Sequence, residues 1–295
     1  MSNIAGPAML RNRFRRFIAF PLTAMVIGFA LFMLCYGLSG YVANRLSVFD
    51  GTPLQTLFAL AFAVVAVMLW KGYKRLIENV PDREMPLAAA PRELGQGLLM
   101  GFLLFSAMTG IVAMLGGFEV LGVRGTGQLW DMLAMAVLSG VFEEIGFRGV
   151  LLRQLEALLG SWAALAITSA FFGIAHISNP GASWFSSFAI AIEAGILLGA
   201  AFLLTRRLWL PIGIHAAWNF TQGWVFSAPV SGGETPLGLL ITRRVGPDWL
   251  TGGDFGLEAS VVAMLVATLA GLVMLRHAIQ RGGLVQPIWR RAKPG

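Results

Sequence analysis

The stretch SGVFEEIGFRGVLL, residues 139–152, places two adjacent glutamates and an arginine inside an otherwise apolar segment. A charged side chain in the hydrocarbon of a bilayer costs at least about 2.5–3.5 kcal/mol, even on insertion-based scales. Glu143, Glu144 and Arg148 would therefore need partners or a cavity if this segment is embedded in a membrane. Whether it is embedded depends on the composition of the rest of the chain.

The composition is that of an integral membrane protein. Of the 295 residues, 57% are hydrophobic and only 13% are charged, and the mean hydropathy is +0.73. A soluble domain of this length would need far more polar surface. The formal charge of +7 fits the basic cytoplasmic loops of a multi-pass protein, so we expect no nucleic-acid partner. The single cysteine, Cys35, excludes an intrachain disulfide.

Eight apolar segments approach the length of about 20 residues that a membrane-spanning helix needs. They are 17–41, 54–70, 94–116, 130–157, 161–177, 184–205, 208–225 and 256–276. We therefore predict an all-α fold, a polytopic membrane helical bundle of about eight transmembrane helices that forms one domain over residues 1–295. We place the catalytic core at about 130–225 and the cytoplasmic tails at 1–16 and 277–295.

The distribution of lysine and arginine predicts the orientation of the bundle. If both termini lie inside, 18 of the 22 basic residues fall on the cytoplasmic side and 4 on the other. Basic residues concentrate in the cytoplasmic loops of membrane proteins. The sequence therefore predicts an N-in and C-in topology.

The two adjacent glutamates are predicted to have different roles. Neighbouring residues of a helix point about 100° apart. Glu144 and Arg148 are four residues apart with the acid first, which is the favourable order for an ion pair. Glu143 is then left facing another direction, where an unpaired carboxylate would suit a general base. The alternative is that both glutamates join Arg148 in one structural ion cluster.

Two histidines and an asparagine are predicted to lie at the depth of Glu143. The fourth and fifth segments turn near residues 159–160, so Glu143 and His176, each 17 positions from that turn, reach one level in an antiparallel pair. His215 and Asn219 are four residues apart and share a helix face. We therefore expect these four side chains to share a pocket in the cytoplasmic half of the membrane.

Such a pocket could hydrolyse an amide by either of two routes. Glu143 could take a proton from water and return it to the leaving amine, while imidazole and amide groups stabilise the oxyanion. Alternatively, Glu143, His176 and His215 could hold a divalent metal such as zinc with an open position. The helical HExxH pattern is absent, and no serine or cysteine has an evident activating partner. The residues alone leave both routes open.

Three blocks of the sequence resemble the motifs of a known family. EEIGFR (143–148), FFGIAH (171–176) and HAAWN (215–219) look like the EExxxR, FxxxH and HxxxN/D motifs of the CPBP family of CAAX and bacteriocin-processing proteases, also called the Abi family. This family includes the type II CAAX prenyl endopeptidases. The similarity covers about residues 130–235, and these stretches resemble bacterial members throughout.

The resemblance implies an intramembrane endopeptidase in a bacterial cytoplasmic membrane, with the lipid bilayer and a membrane-associated protein or lipidated, CAAX-like peptide as partners. It implies catalytic residues Glu143, which activates water, His176, His215, Asn219, Glu144 and Arg148, with Phe172 supporting His176. Family members are named metalloproteases, yet a metal-free glutamate mechanism is also argued for relatives. The resemblance therefore leaves zinc open, and the sequence does not indicate an oligomeric state.

Two other functions use the same residues. A transporter or proton relay also needs intramembrane acids and imidazoles, although inverted repeats are lacking. A bacteriocin-immunity or scaffold protein would not hydrolyse anything. Glu193, in the middle of a predicted helix, is either a carboxyl kept protonated or hydrogen-bonded inside the bundle or part of the cavity wall near the site. The function of the hydrophilic segment 227–255 is left open, as a lid or a surface loop.

Overall fold

The structure, a computed structural model, describes residues 7–45, 47 and 50–291, with side chains from residue 12 onward. The chain is mostly helical, at 74%, in agreement with the predicted class. The first six and last four residues of the predicted tails lie outside the described part.

Each of the eight apolar segments contains helix. The helices are α1 (Pro7–Ile18), α2 (Pro21–Arg45), α3 (Pro53–Tyr73), α4 (Ala90–Met114), α5 (Leu129–Glu144), α6 (Arg153–Leu159), α7 (Ser161–Ala175), α8 (Trp184–Ile190), α9 (Ile196–Thr205), α10 (Trp209–Phe220), α11 (Asp248–Thr251) and α12 (Val261–Gln280). π-Helical segments prolong α3 (Lys74–Glu78), join α5 to α6 (Ile145–Leu152), join α8 to α9 (Ala191–Gly195) and prolong α10 (Thr221–Val225).

Five helical stretches of the described chain are long and apolar enough to cross a membrane. They are Pro21–Arg45, Pro53–Glu78, Leu87–Met114, Trp184–Thr205 and Val261–Gln280. The predicted segments 130–157, 161–177 and 208–225 are helical but fall outside this set. The structure therefore supports a helical membrane protein, while the count of eight spans and the orientation of the termini stay predictions.

Two predicted helix boundaries are displaced by capping residues. The first span begins at Pro21, because proline lacks the N–H group that a helix interior needs and is favoured in the first turn. The last span begins at Val261 instead of residue 256. There the Ser260 hydroxyl accepts a hydrogen bond from the Ala263 N–H, and serine is a preferred N-cap.

A small antiparallel sheet adds to the helices and was not predicted. Strand β1 (Phe118–Val123) follows α4, and strand β2 (Leu240–Arg244) lies in the hydrophilic segment 227–255. The pairing shifts register between Val120 and Gly122. The sheet ties this segment to the end of α4, so the segment is an ordered part of the fold.

Helices α4 and α10 pack closely through glycines, as their spacing predicts. A Cβ added at Gly97 would lie 2.4 Å from the Leu210 carbonyl oxygen, and one at Gly101 would lie 2.4 Å from that of Ile214. Small residues permit such close backbone approach between membrane helices. This contact fixes the position of α10, which carries His215.

The loop between α3 and α4 is held by the carboxylate of Asp82. It accepts hydrogen bonds from the Trp70 indole (2.8 Å) and the Met85 N–H (2.9 Å), and it pairs with Lys71 at 3.2 Å. Partial burial acts to raise the pKa of Asp82, but these donors outweigh it and hold the pKa below its usual value. The carboxylate form therefore stabilises the fold.

We expect Asp82→Asn to lower the free energy of unfolding by about 1–3 kcal/mol at pH 7, since hydrogen bonds to a charged group are lost. A lowered folded-state pKa gives stability that is present above the unfolded pKa and is lost as the pH falls through the folded value. The difference from wild type should therefore shrink below about pH 4. Thermal unfolding in detergent at several pH values measures it, with the exposed Glu234→Gln as control. An equal deficit at all pH values would contradict the carboxylate's role.

Candidate active site

Glu144 lies at the centre of the site, at the end of α5. It is fully buried, and its Oε1 accepts hydrogen bonds from Arg148 Nη1 and from His215 Nδ1, each at 2.8 Å. The ion pair expected between Glu144 and Arg148 is therefore present. Because the paired carboxylate can only accept, His215 donates through Nδ1, which turns Nε2 away from Glu144.

Glu143 approaches His215 from its other nitrogen. Its Oε2 lies 4.0 Å from His215 Nε2, and its side chain is 16% exposed, in contrast to the fully buried Glu144. Among the described carboxylates, Arg148 forms an ion pair with Glu144 only, and Glu143 acts on it through its charge without a direct pair. The Tyr36 side chain, from α2, also interacts with Glu143 and stacks on Phe142 at 5.5 Å.

The ring of Phe172, on α7, contacts three members of the site. It lies 4.8 Å from the His176 ring and 6.2 Å from the His215 ring, centroid to centroid. The Arg148 guanidinium lies over its face at 4.5 Å, within range of a cation–π interaction. Phe172, which was predicted to support His176, therefore also packs against His215 and Arg148.

Backbone and hydroxyl groups orient the remaining two predicted residues. His176 Nδ1 lies 2.7 Å from the Phe172 carbonyl oxygen, so it donates there and leaves Nε2 free of this bond. The Asn219 amide donates to Ser139 Oγ at 3.0 Å. The sequence around Ser139 does not mark it as a site residue, but in the structure its hydroxyl accepts the bond that orients Asn219.

A small cavity of about 30 Å³ lies between several of the predicted site residues. By volume it has room for about two water molecules. Its polar lining consists of His176, Glu193, His215, Asn219, Ser231 and Glu258. Of the four residues predicted to share a pocket, His176, His215 and Asn219 therefore line one cavity. Glu143 is not part of its lining but lies 4.0 Å from His215.

Glu258, Ser231 and Tyr36 are site residues that the sequence did not indicate. Glu258 precedes α12 and accepts a hydrogen bond from the Ser231 N–H at 2.5 Å, and Asn179 donates to the Ser231 carbonyl at 2.9 Å. The segment 227–255 thus supplies part of the cavity wall. Glu193 is 2% exposed and lines the same cavity, so both of its predicted roles fit its position, and the choice between them stays a prediction.

The predicted zinc ligands are Glu143, His176 and His215. Among the described residues, no three His, Cys, Asp or Glu side chains are grouped so that they could hold a metal ion. His215 Nδ1 is engaged by Glu144 and His176 Nδ1 by a backbone carbonyl, and bonds of this kind also orient histidines that bind a metal through the other nitrogen. The zinc site of Glu143, His176 and His215 stays a prediction.

The helical fold, its apolar spans and this buried site are those of an integral membrane protein with several buried polar groups. A family model described as type II CAAX prenyl endopeptidase Rce1-like matches residues 125–221, about a third of the chain. This match confirms the resemblance to the CAAX protease family, which implies a protease, and it contains all three motifs. The match ends at residue 221, whereas the resemblance noted in the sequence extends to about residue 235. No curated protein and no solved structure matches the chain.

Proposed function

We propose that this protein is an intramembrane endopeptidase that hydrolyses a peptide bond of a membrane-associated protein with water activated by Glu143. One observation carries the proposal. His215 is held between two carboxylates of different character, the buried, ion-paired Glu144 at 2.8 Å and the partly accessible Glu143 at 4.0 Å. Only the second has freedom to accept and return a proton.

The proposed reaction uses Glu143 as base and then as acid. Its carboxylate takes a proton from water while the water oxygen forms a bond to the carbonyl carbon, and the C=O electron pair moves to the oxygen. The oxyanion then re-forms the C=O bond as the C–N bond breaks, the C–N electrons pass to nitrogen, and the amine receives the proton from Glu143. The Asn219 amide, or a protonated imidazolium of His176 or His215, would donate to the oxyanion and stabilise it. Glu144 and Arg148 would keep His215 in position.

We infer eight spans, with both termini and the active site on the cytoplasmic side of a bacterial membrane. The charge distribution supports this topology, since 18 of 22 basic residues fall on one side. A described cluster of ion pairs at that side also fits it: Arg206 pairs with Glu156, and Arg207 with Glu93.

A second cavity supports a substrate that carries hydrocarbon, such as a lipidated, CAAX-like protein. It measures about 900 Å³ and is lined almost entirely by apolar side chains of α3, α4, α5 and α10. Val141 in its wall is two residues from Glu143, and Ile212 is three from His215. The cavity therefore lies against the two helices that carry the proposed base and its imidazole partner.

The test is a cleavage assay with purified protein in liposomes and a quenched library of lipidated and unlipidated peptides. We expect wild type to cleave lipidated peptides, and a zinc chelator to leave the rate unchanged. Loss of cleavage with chelator, reversed by zinc, would replace the metal-free route by the metal route. Absence of cleavage together with ion flux across the liposome would favour the transporter instead.

A further inference from the structure

Helix α1 has an apolar face and a strongly basic face. Its sequence is PAMLRNRFRRFI, and it contains no acidic residue. The apolar positions recur with helical spacing, and they are Leu10, Phe14, Phe17 and Ile18. The basic positions fall between them, and they are Arg11, Arg13, Arg15 and Arg16. This division of residues is typical of helices that lie in the interface of a membrane.

The aromatic side chains of this helix are not covered by the rest of the protein. Phe14 and Phe17 are each 64% exposed, whereas a helix that served only the bundle core would bury them. Helix α1 does touch the fold, since it contacts α2 and the π-helical segment Lys74–Glu78 at the end of α3. Those contacts leave the two phenylalanines facing outward.

The position of α1 places this exposed face at the boundary of the bilayer. The helix ends at Ile18, and the first candidate span begins at Pro21. So short a connection cannot carry α1 away from the end of that span. Exposed phenylalanine at this level can enter the acyl-chain boundary, and the neighbouring arginines then lie at the level of the lipid headgroups.

We propose that α1 is an interfacial helix that binds anionic phospholipid through its arginines and inserts Phe14 and Phe17 beneath the headgroups. The charge of the helix is one-sided, because its sequence has four arginines and no acidic residue. Each basic residue near an anionic surface strengthens binding by about fivefold. This role is independent of peptide hydrolysis.

The experiment uses the full chain with Cys35→Ala, a single new cysteine and an environment-sensitive fluorophore. Phe14→Cys places the label on the apolar face, and Asn12→Cys is the matched control on the polar face. Each protein is reconstituted into vesicles of phosphatidylcholine alone or mixed with phosphatidylserine. With phosphatidylserine we expect a blue-shifted emission and protection from acrylamide at position 14, and an accessible label at position 12.

Charge variants separate electrostatic binding from simple burial. Replacing Arg13, Arg15 and Arg16 together by glutamine should abolish the protection at position 14, whereas replacing them by lysine should preserve it. High salt should act like the glutamine variant. Equal protection in both kinds of vesicle, insensitive to charge, would overturn the proposal, as would a label at position 14 that stays accessible in both.

Discussion

Replacing Glu143 by glutamine should lower kcat/KM for peptide hydrolysis by about 10²–10⁴-fold, the contribution of a well-placed general base. Glutamine keeps the shape of the side chain but cannot accept the proton of water. The fold should survive, because Glu143 is partly accessible and Arg148 retains its direct partner Glu144. Thermal unfolding should therefore remain close to that of wild type.

The measurement is cleavage of the best lipidated peptide by wild type, Glu143→Gln and a matched surface variant. Glu119→Gln serves as that variant, since its surface pair with Arg243 contributes little to stability. It should keep wild-type activity. If Glu143→Gln keeps activity within tenfold of wild type, Glu143 is not the base, and the metal-free route proposed here is wrong.

The parts of the site that the sequence predicts correctly depend on local helix geometry. The pair of Glu144 and Arg148 follows from a spacing of four residues. The turn at Gly160, which ends α6 with φ of 79°, lies where the sequence predicts it, whereas the common depth of Glu143 and His176 counted from it stays a prediction. These arguments need only the rise and period of a helix, so they hold without knowledge of the bundle.

The parts that the sequence does not predict depend on contacts between distant segments. Tyr36 comes from α2, more than a hundred residues before Glu143, and nothing in its apolar surroundings marks it. Glu258 and Ser231 meet through a hydrogen bond between two irregular segments, where no periodicity exists. The strand pairing of β1 and β2 is equally long-range. Only tertiary packing brings such groups together.

Replacing Arg148 by methionine should lower the free energy of unfolding by about 3–5 kcal/mol, because it leaves Glu144 charged and fully buried. The guanidinium also donates to the Ala194 carbonyl at 2.9 Å and lies over Phe172, so these contacts are lost as well. Thermal or denaturant-induced unfolding in detergent measures the loss. A variant as stable as wild type would mean that Glu144 is neutralised by another group.

A double variant, Arg148→Met with Glu144→Gln, separates the stability of the site from its chemistry. Removing both charges should restore most of the lost stability, since buried ion pairs replaced as a unit are often neutral. Cleavage should stay low, because His215 then lacks the carboxylate that fixes its Nδ1. A double variant that is stable but still inactive therefore assigns Glu144 to the orientation of His215. If it is stable and fully active, the pair serves the fold alone, and Glu143 must work without an oriented imidazole.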